Sequence, residues 1–253
     1  MRFSATRKPH ERQKIARHLT GGDHGPAEHH HADVSGGWLR AATFGAMDGL
    51  VTNIALIAGV GGGGVGPRTL VLTGVAGLVA GAISMGIGEY TSVRTQNEQV
   101  AAELDKELRE LRANPEGEAA ELVEVWTARG LPPHLARQVA DVLKEHPEQA
   151  LRVHAQEELG VVPDELPSPW TAALSSFACF AVGAVIPLLT YLLGFDSLAL
   201  ALAVGGAGLF AAGAVVARFT GRSWLASGLR QLVLGAAAAG ATYLIGVLIG
   251  TSA

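Results

Sequence analysis

Residues 70–93 read LVLTGVAGLVAGAISMGIGEYTSV, a run of helical length in which Glu89 is the single formal charge. A bilayer hydrocarbon core of roughly 30 Å takes about 20 apolar residues in helical form, so this stretch predicts a transmembrane helix. Four further stretches pass the same test, at approximately 38–60, 170–193, 197–219 and 224–250. Their small residues, Gly77 and Gly81 among them, suit helices that pack closely by van der Waals contact. A soluble bundle would have to hide five helices that are apolar on all sides. The predicted class is therefore an all-α membrane protein with five transmembrane helices.

The charges are segregated from those stretches. Of 42 Asp, Glu, Lys and Arg residues in the chain, 24 fall within 94–168, where 16 acidic against 8 basic side chains leave a net of −8. Asn114-Pro115 suits an N-cap followed by a proline in the first helical turn. Further breaks are expected at Gly130-Leu131-Pro132-Pro133, at His146-Pro147 and across 160–163. The segment should thus hold three or four short helices. Nothing between Met85 and Leu111 interrupts a helix, so the second span should continue roughly 30 Å past the bilayer at 1.5 Å per residue. The expected organisation is a basic, histidine-rich tail at 1–37, spans one and two at 38–93, an acidic helical domain at 94–168, and spans three to five at 169–250.

Orientation follows from Lys and Arg near the ends of the spans. Arg2, Arg7, Lys8, Arg12, Lys14, Arg17 and Arg40 precede or open the first span; Arg94, Lys106, Arg109 and Arg112 follow the second; Arg218 and Arg222 follow the fourth. These alternate onto one side, which predicts a cytoplasmic N-terminus and acidic domain and an external C-terminus. The tail, with His24, His29, His30 and His31, is too polar for a signal peptide and reads as disordered. Its imidazoles are able to bind a transition metal without a fixed geometry. Cys179 is the single cysteine, which excludes an internal disulfide framework. Gly61 to Gly64 lack the Lys-Ser/Thr of a phosphate loop, and the acidic domain has the wrong sign for nucleic acid.

Two spans carry residues that lipid alone does not explain. Asp48 lies inside the first, where an aspartate costs about 2.5–3.5 kcal/mol near the bilayer centre, and Thr52 shares its face one turn on. Met85 and Glu89 share a face of the second. A thioether beside carboxylates suits a divalent transition ion rather than calcium or magnesium, which prefer oxygen alone. In the acidic domain Glu107 and Glu110, then Glu118, Glu121 and Glu124, repeat at helical spacing and line helix faces whose mutual repulsion a cation would relieve. His154, Glu157 and Glu158 are placed to complete such a site.

These motifs resemble the vacuolar iron transporters and their bacterial relatives. The likeness rests on Asp48-Gly49-Leu50-Val51-Thr52-Asn53 with Ala58-Gly59, Gly81-Ala82-Ile83-Ser84-Met85-Gly86 with Gly88-Glu89-Tyr90, Glu157-Glu158-Leu159-Gly160, and Ala173-Leu174-Ser175-Ser176-Phe177, in that order over about 38–250. The resemblance implies a homodimer whose cytoplasmic helical domain binds metal and which moves divalent iron out of the cytoplasm against protons. It places Asp48 and Met85 on the membrane ion pathway, and Glu110, Glu121, Glu124 and Glu158, with Glu107 a looser match, among the soluble carboxylates. The chain departs from plant members at Gly77, where they carry a glutamate, and at His154-Ala155, where they carry two methionines. Those departures leave the choice among iron, manganese and zinc open.

The reading is thus a proton-coupled exporter of divalent iron, with manganese as a second cargo, working in a lipid bilayer as a homodimer; in a bacterium that bilayer is the plasma (inner) membrane. The alternative is a membrane-anchored iron sensor or store. A di-iron enzyme is disfavoured because no Glu-x-x-His run falls within 94–168.

Overall fold

A computed structural model describes residues 37–251. The tail histidines His24, His29, His30 and His31 lie outside the described residues. Helices account for nearly all of the described chain, and none of the described residues forms a strand. In order they are α1 (Trp38–Gly62), α2 (Pro67–Ala113), α3 (Pro115–Ala128), α4 (Pro133–Lys144), α5 (Pro147–Glu158), a 3-10 turn at Pro163–Glu165, α6 (Pro169–Leu192), α7 (Leu198–Thr220) and α8 (Trp224–Gly250).

Five of these, α1, α2, α6, α7 and α8, are long and apolar enough to cross a membrane. Large apolar side chains such as Leu72, Val182, Val233 and Leu244 stand exposed on them, as a surface solvated by lipid requires and one solvated by water does not tolerate.

The helix boundaries follow local chemistry. Helices α2 to α6 each begin with a proline in the first turn, where its missing N–H is no loss. The Asn114 side chain accepts a hydrogen bond from the Gly117 amide at 3.2 Å, capping α3. Ser168, Ser197 and Ser223 cap α6, α7 and α8 in the same manner. Because no such signal interrupts 67–113, α2 runs for 47 residues, about 70 Å at 1.5 Å per residue. Its second half leaves the apolar bundle and carries α3 to α5 beside it.

Helix α1 is the centre of the bundle, and it packs at backbone distance on two neighbours. On α6, a Cβ added to Gly49 would fall 2.1 Å from the Phe180 carbonyl oxygen, and one on Gly183 would fall 2.3 Å from that of Ala46. On α8, a Cβ at Gly246 would meet the Gly59 oxygen at 1.8 Å. Around these seams Leu50, Ile54, Ala58 and Leu209 form one apolar cluster, and Ile57, Leu70, Leu188 and Ala201 another.

The helices outside the bundle share a smaller core of Leu111, Leu122, Ala136, Ala140, Ala150 and Ala155. Lys144 reaches Glu116 at 2.8 Å and ties α4 to α3. Arg129, and the Trp126 indole N–H at 3.2 Å, bind Glu157 and tie α3 to α5.

The glycine seams set a test of this packing. Gly49→Val puts its side chain against a carbonyl that cannot move without shifting α6, an overpacking of about 3 kcal/mol. It is expected to lower the thermal transition of the detergent-solubilised protein by about 5 °C or more. Gly240→Ala, where an added Cβ meets nothing within 4 Å, is expected to leave the transition essentially unchanged in the same thermal-shift measurement.

Candidate metal sites

The long α2 brings Glu107 out of the bundle and places it against α5. There the ring of His154, 1% exposed, points Nδ1 at Glu158 Oε1 (2.7 Å), and Glu107 Oε1 lies 3.1 Å from the same nitrogen outside hydrogen-bonding geometry. A carboxylate oxygen of Glu118, from α3, lies 3.9 Å from the same nitrogen. Candidate ligand atoms of Glu107, His154 and Glu158 all fall within 4.8 Å of one another. Three helices thus contribute to one cluster. Its assembly needs the small core described above, because His154 is held between Leu111, Leu122 and Ala150, which line the same narrow cleft.

The cluster has the chemistry of a cation site. Glu107 Oε1 and His154 Nε2 are buried without a hydrogen-bond partner, and buried polar atoms are ordinarily satisfied. One imidazole faces three carboxylates, so the charge is unbalanced even when the ring is protonated. An imidazole nitrogen with carboxylate oxygens suits first-row divalent ions such as iron, manganese or zinc.

The other predicted carboxylates stand apart. Glu110, Glu121 and Glu124 are exposed, and Glu110 faces Lys106 at 3.9 Å. Burial raises the Glu118 pKa most, and the charges of Glu121 and Glu110 add to it. Glu157, next to Glu158 in sequence, is committed to Trp126 and Arg129.

Within the bundle, Asp48 and Thr52 are half-buried on one face of α1, with the Thr52 hydroxyl donating to Asp48 Oδ1 at 3.4 Å. Thr52 lines a groove of about 680 Å³ between α1 and α8. On α2, Met85 packs against the cluster of Ala82, Phe180 and Ala184. Glu89, one turn on, is buried and ion-paired with Arg40.

The sequence matches a known family. The model of the VIT family covers residues 39–247 of the chain. The chain belongs to the VIT family. Among its relatives, "Vacuolar iron transporter 1" of Arabidopsis thaliana is 31% identical over 229 residues, covering 87% of this chain and 90% of the relative. The protein of the same name in Oryza sativa is 34% identical over 86% of this chain and 88% of its own length. "Vacuolar iron transporter" of Acanthamoeba castellanii is 36% identical over 84% and 78%. With its five apolar helices, this VIT-family chain is a multi-pass membrane protein.

Two groups at the site escaped the sequence. Arg40 was legible as a positive charge beside the first span, but its partner lies 49 residues away. Asn53 is 1% exposed and donates to the Ala184 carbonyl at 2.5 Å, while its own oxygen has no partner. A buried amide inside an apolar run is the signal that would have marked it.

Two carboxylates of the cluster in this VIT-family chain have raised pKa values. Burial, reinforced by the nearby Glu158 charge and opposed by His154, pushes Glu107 up to about 7 from the ordinary 4.5. Burial likewise raises Glu118, against an opposing pull from His154. A raised acid favours the fold below its ordinary pKa and loses that contribution as the pH climbs through the raised value. For Glu107 the window is therefore 4.5 to about 7. Ionised above it, the cluster carries unrelieved charge that a dication neutralises. Protons should compete with metal as the pH falls, weakening Mn²⁺ binding about tenfold between pH 8 and pH 6. Isothermal titration of the purified protein measures this. Glu107→Gln, which keeps the histidine tail intact, is expected to weaken binding at pH 8 and to flatten the pH profile.

Proposed function

We propose that this chain is a proton-coupled transporter that carries divalent iron, and manganese as a second cargo, out of the cytoplasm, and that it works as a homodimer. The observation that carries the reading is Asp48. A carboxylate half-buried within a membrane-spanning helix, hydrogen-bonded to Thr52 on the same face, is costly unless it serves an ion route. The named relatives are iron transporters, and a transporter fits these residues better than an enzyme does. The distribution of Lys and Arg supports a cytoplasmic N-terminus and α3 to α5, with an external C-terminus; for a bacterial chain the membrane is the plasma membrane.

In this reading the cluster of Glu107, Glu118, His154 and Glu158 collects the cation, with Glu110, Glu121 and Glu124 raising its local concentration by their charge. The ion then passes to Glu89 and Met85 on α2 and to Asp48 and Thr52 on α1. Coupling follows from the same carboxylates. A dication displaces protons when it binds, and reprotonation from the far side weakens the carboxylate's hold and releases the ion.

The test is metal-driven proton movement in proteoliposomes of the purified protein. Asp48→Ala and Met85→Ala are each expected to cut the flux at least about a hundredfold while leaving metal binding at the Glu107 cluster intact; wild-type flux in both would overturn the route. The second reading, a membrane-anchored metal sensor or store, is favoured by the completeness of the Glu107, His154 and Glu158 cluster without any membrane residue. Tight binding with no metal-dependent flux in the unsubstituted protein would establish it.

A further inference from the structure

The pair formed by Arg40 and Glu89 has an uneven build. The Arg40 side chain is 62% exposed, whereas that of Glu89 is 9% exposed. Glu89 sits where three helices are pinned together. Ala41 of α1, Val93 of α2 and Ala172 of α6 form a buried contact, Tyr90 packs on Trp170 with ring centroids 4.9 Å apart, and the Asn97 amide donates to the Pro167 carbonyl at 2.9 Å. The carboxylate is therefore fixed in place. The guanidinium is not, since its solvated length lets it swing outward into water at little cost.

The position of Glu89 gives this asymmetry a use. Glu89 and Glu107 are 18 residues apart on one uninterrupted helix, five turns at 3.6 residues each, so they lie on the same face. Met85 is a turn further into the bundle on nearly that face. Glu89 thus stands between the metal-binding cluster and the intramembrane thioether, and it is already occupied by a positive charge. Were Arg40 to leave without replacement, a buried carboxylate would be stranded without a counter-charge, which is strongly unfavourable. Exchange for an arriving cation avoids that state.

We propose that Arg40 is a resident counter-charge which holds Glu89 while no cargo is present, and which a divalent cation displaces on entering the membrane route. Arg40 competes with the cargo for one carboxylate. It keeps the entry site neutral between cycles, and by returning to Glu89 it drives the ion onward to Met85 and Asp48. This assignment rests on the transport reading above, and it makes Arg40 a residue that sets apparent affinity without touching the ion.

The experiment is Mn²⁺-driven proton flux in proteoliposomes, reading half-saturating concentration and maximal rate separately for the unsubstituted protein, Arg40→Gln, Arg40→Lys and Glu89→Gln. Arg40→Gln is expected to lower the half-saturating Mn²⁺ concentration about fivefold and to reduce the maximal rate, because the ion binds without a competitor and leaves more slowly. Arg40→Lys, whose shorter point charge pairs less well with a carboxylate, is expected to shift both in the same direction by less. Glu89→Gln is expected to raise the half-saturating concentration. A bridge that merely ties α1 to α2 would lower the yield of folded protein and the maximal rate with no change in half-saturation; that result in Arg40→Gln, or in Arg40→Lys should the first variant not fold, overturns the proposal. Flux in the unsubstituted protein that Asp48→Ala abolishes upholds the transport reading whatever the Arg40 variants do. No flux in the unsubstituted protein removes both.

Discussion

The backbone contact between α1 and its neighbours is the constraint on which the remaining structure depends. Gly45, Gly49 and Asn53 recur every four residues and form a ridge against α6, the two glycines meeting its backbone directly and Asn53 through its side-chain amide. Gly59 and Gly62 let α1 come close to α8, where an added Cβ would fall 3.2 Å from the Thr242 carbonyl oxygen and 2.6 Å from that of Tyr243. In a bilayer there is no hydrophobic drive to bring helices together, so close van der Waals contact of this kind has to supply it. The geometry also decides where the chemistry lies. Asp48 and Thr52 occur on the side of α1 next to the α6 ridge, and Thr52 opens on the groove that α8 borders. Had Gly49 carried a side chain, α6 would sit further out and the face bearing Asp48 would lose its fixed setting.

Helix α2 links that bundle to the rest of the molecule. Because 47 residues pass without a break, one face carries Met85, Glu89 and Glu107 in a fixed line, the first two within the bundle and the third beyond it. A flexible linker in the middle would leave the outer cluster and the inner residues without a defined relation. The Asn114 cap and the prolines that follow end α2 and fold α3 to α5 back against it, which brings Glu118, His154 and Glu158 to the level of Glu107.

Electrostatics separates the two regions. Outside the bundle, three carboxylates crowd a buried imidazole, and burial raises Glu107 to about 7 and raises Glu118 as well. Inside, Glu89 is neutralised by Arg40 and Asp48 is hydrogen-bonded by Thr52, so both are tolerated in an apolar setting. The first region leaves negative charge in excess, and the second holds its carboxylates paired.

Five spans, the uninterrupted second helix and the breaks at Asn114, Pro133, Pro147 and across 160–163 were all determined by the sequence alone, because hydrocarbon thickness, proline and capping act over a few residues at a time. Asp48 and Met85 were legible for the same reason, as polar or sulfur-bearing residues in apolar runs. Which carboxylates meet was decided only by the tertiary structure. Helical spacing placed Glu107, Glu110, Glu118, Glu121 and Glu124 on faces but could not say which face α5 would cover, and packing chose Glu107 and Glu118 while leaving Glu110, Glu121 and Glu124 in solvent. Glu157 and Glu158 are adjacent in the chain, yet a rotation of about 100° per residue sends one to Arg129 and the other to His154. The partnership of Glu89 with Arg40 likewise exists only because Ala41, Val93 and Ala172 bring three separate helices into contact. Local rules fix where helices start and stop; which side chains meet depends on distances between helices that no local pattern encodes.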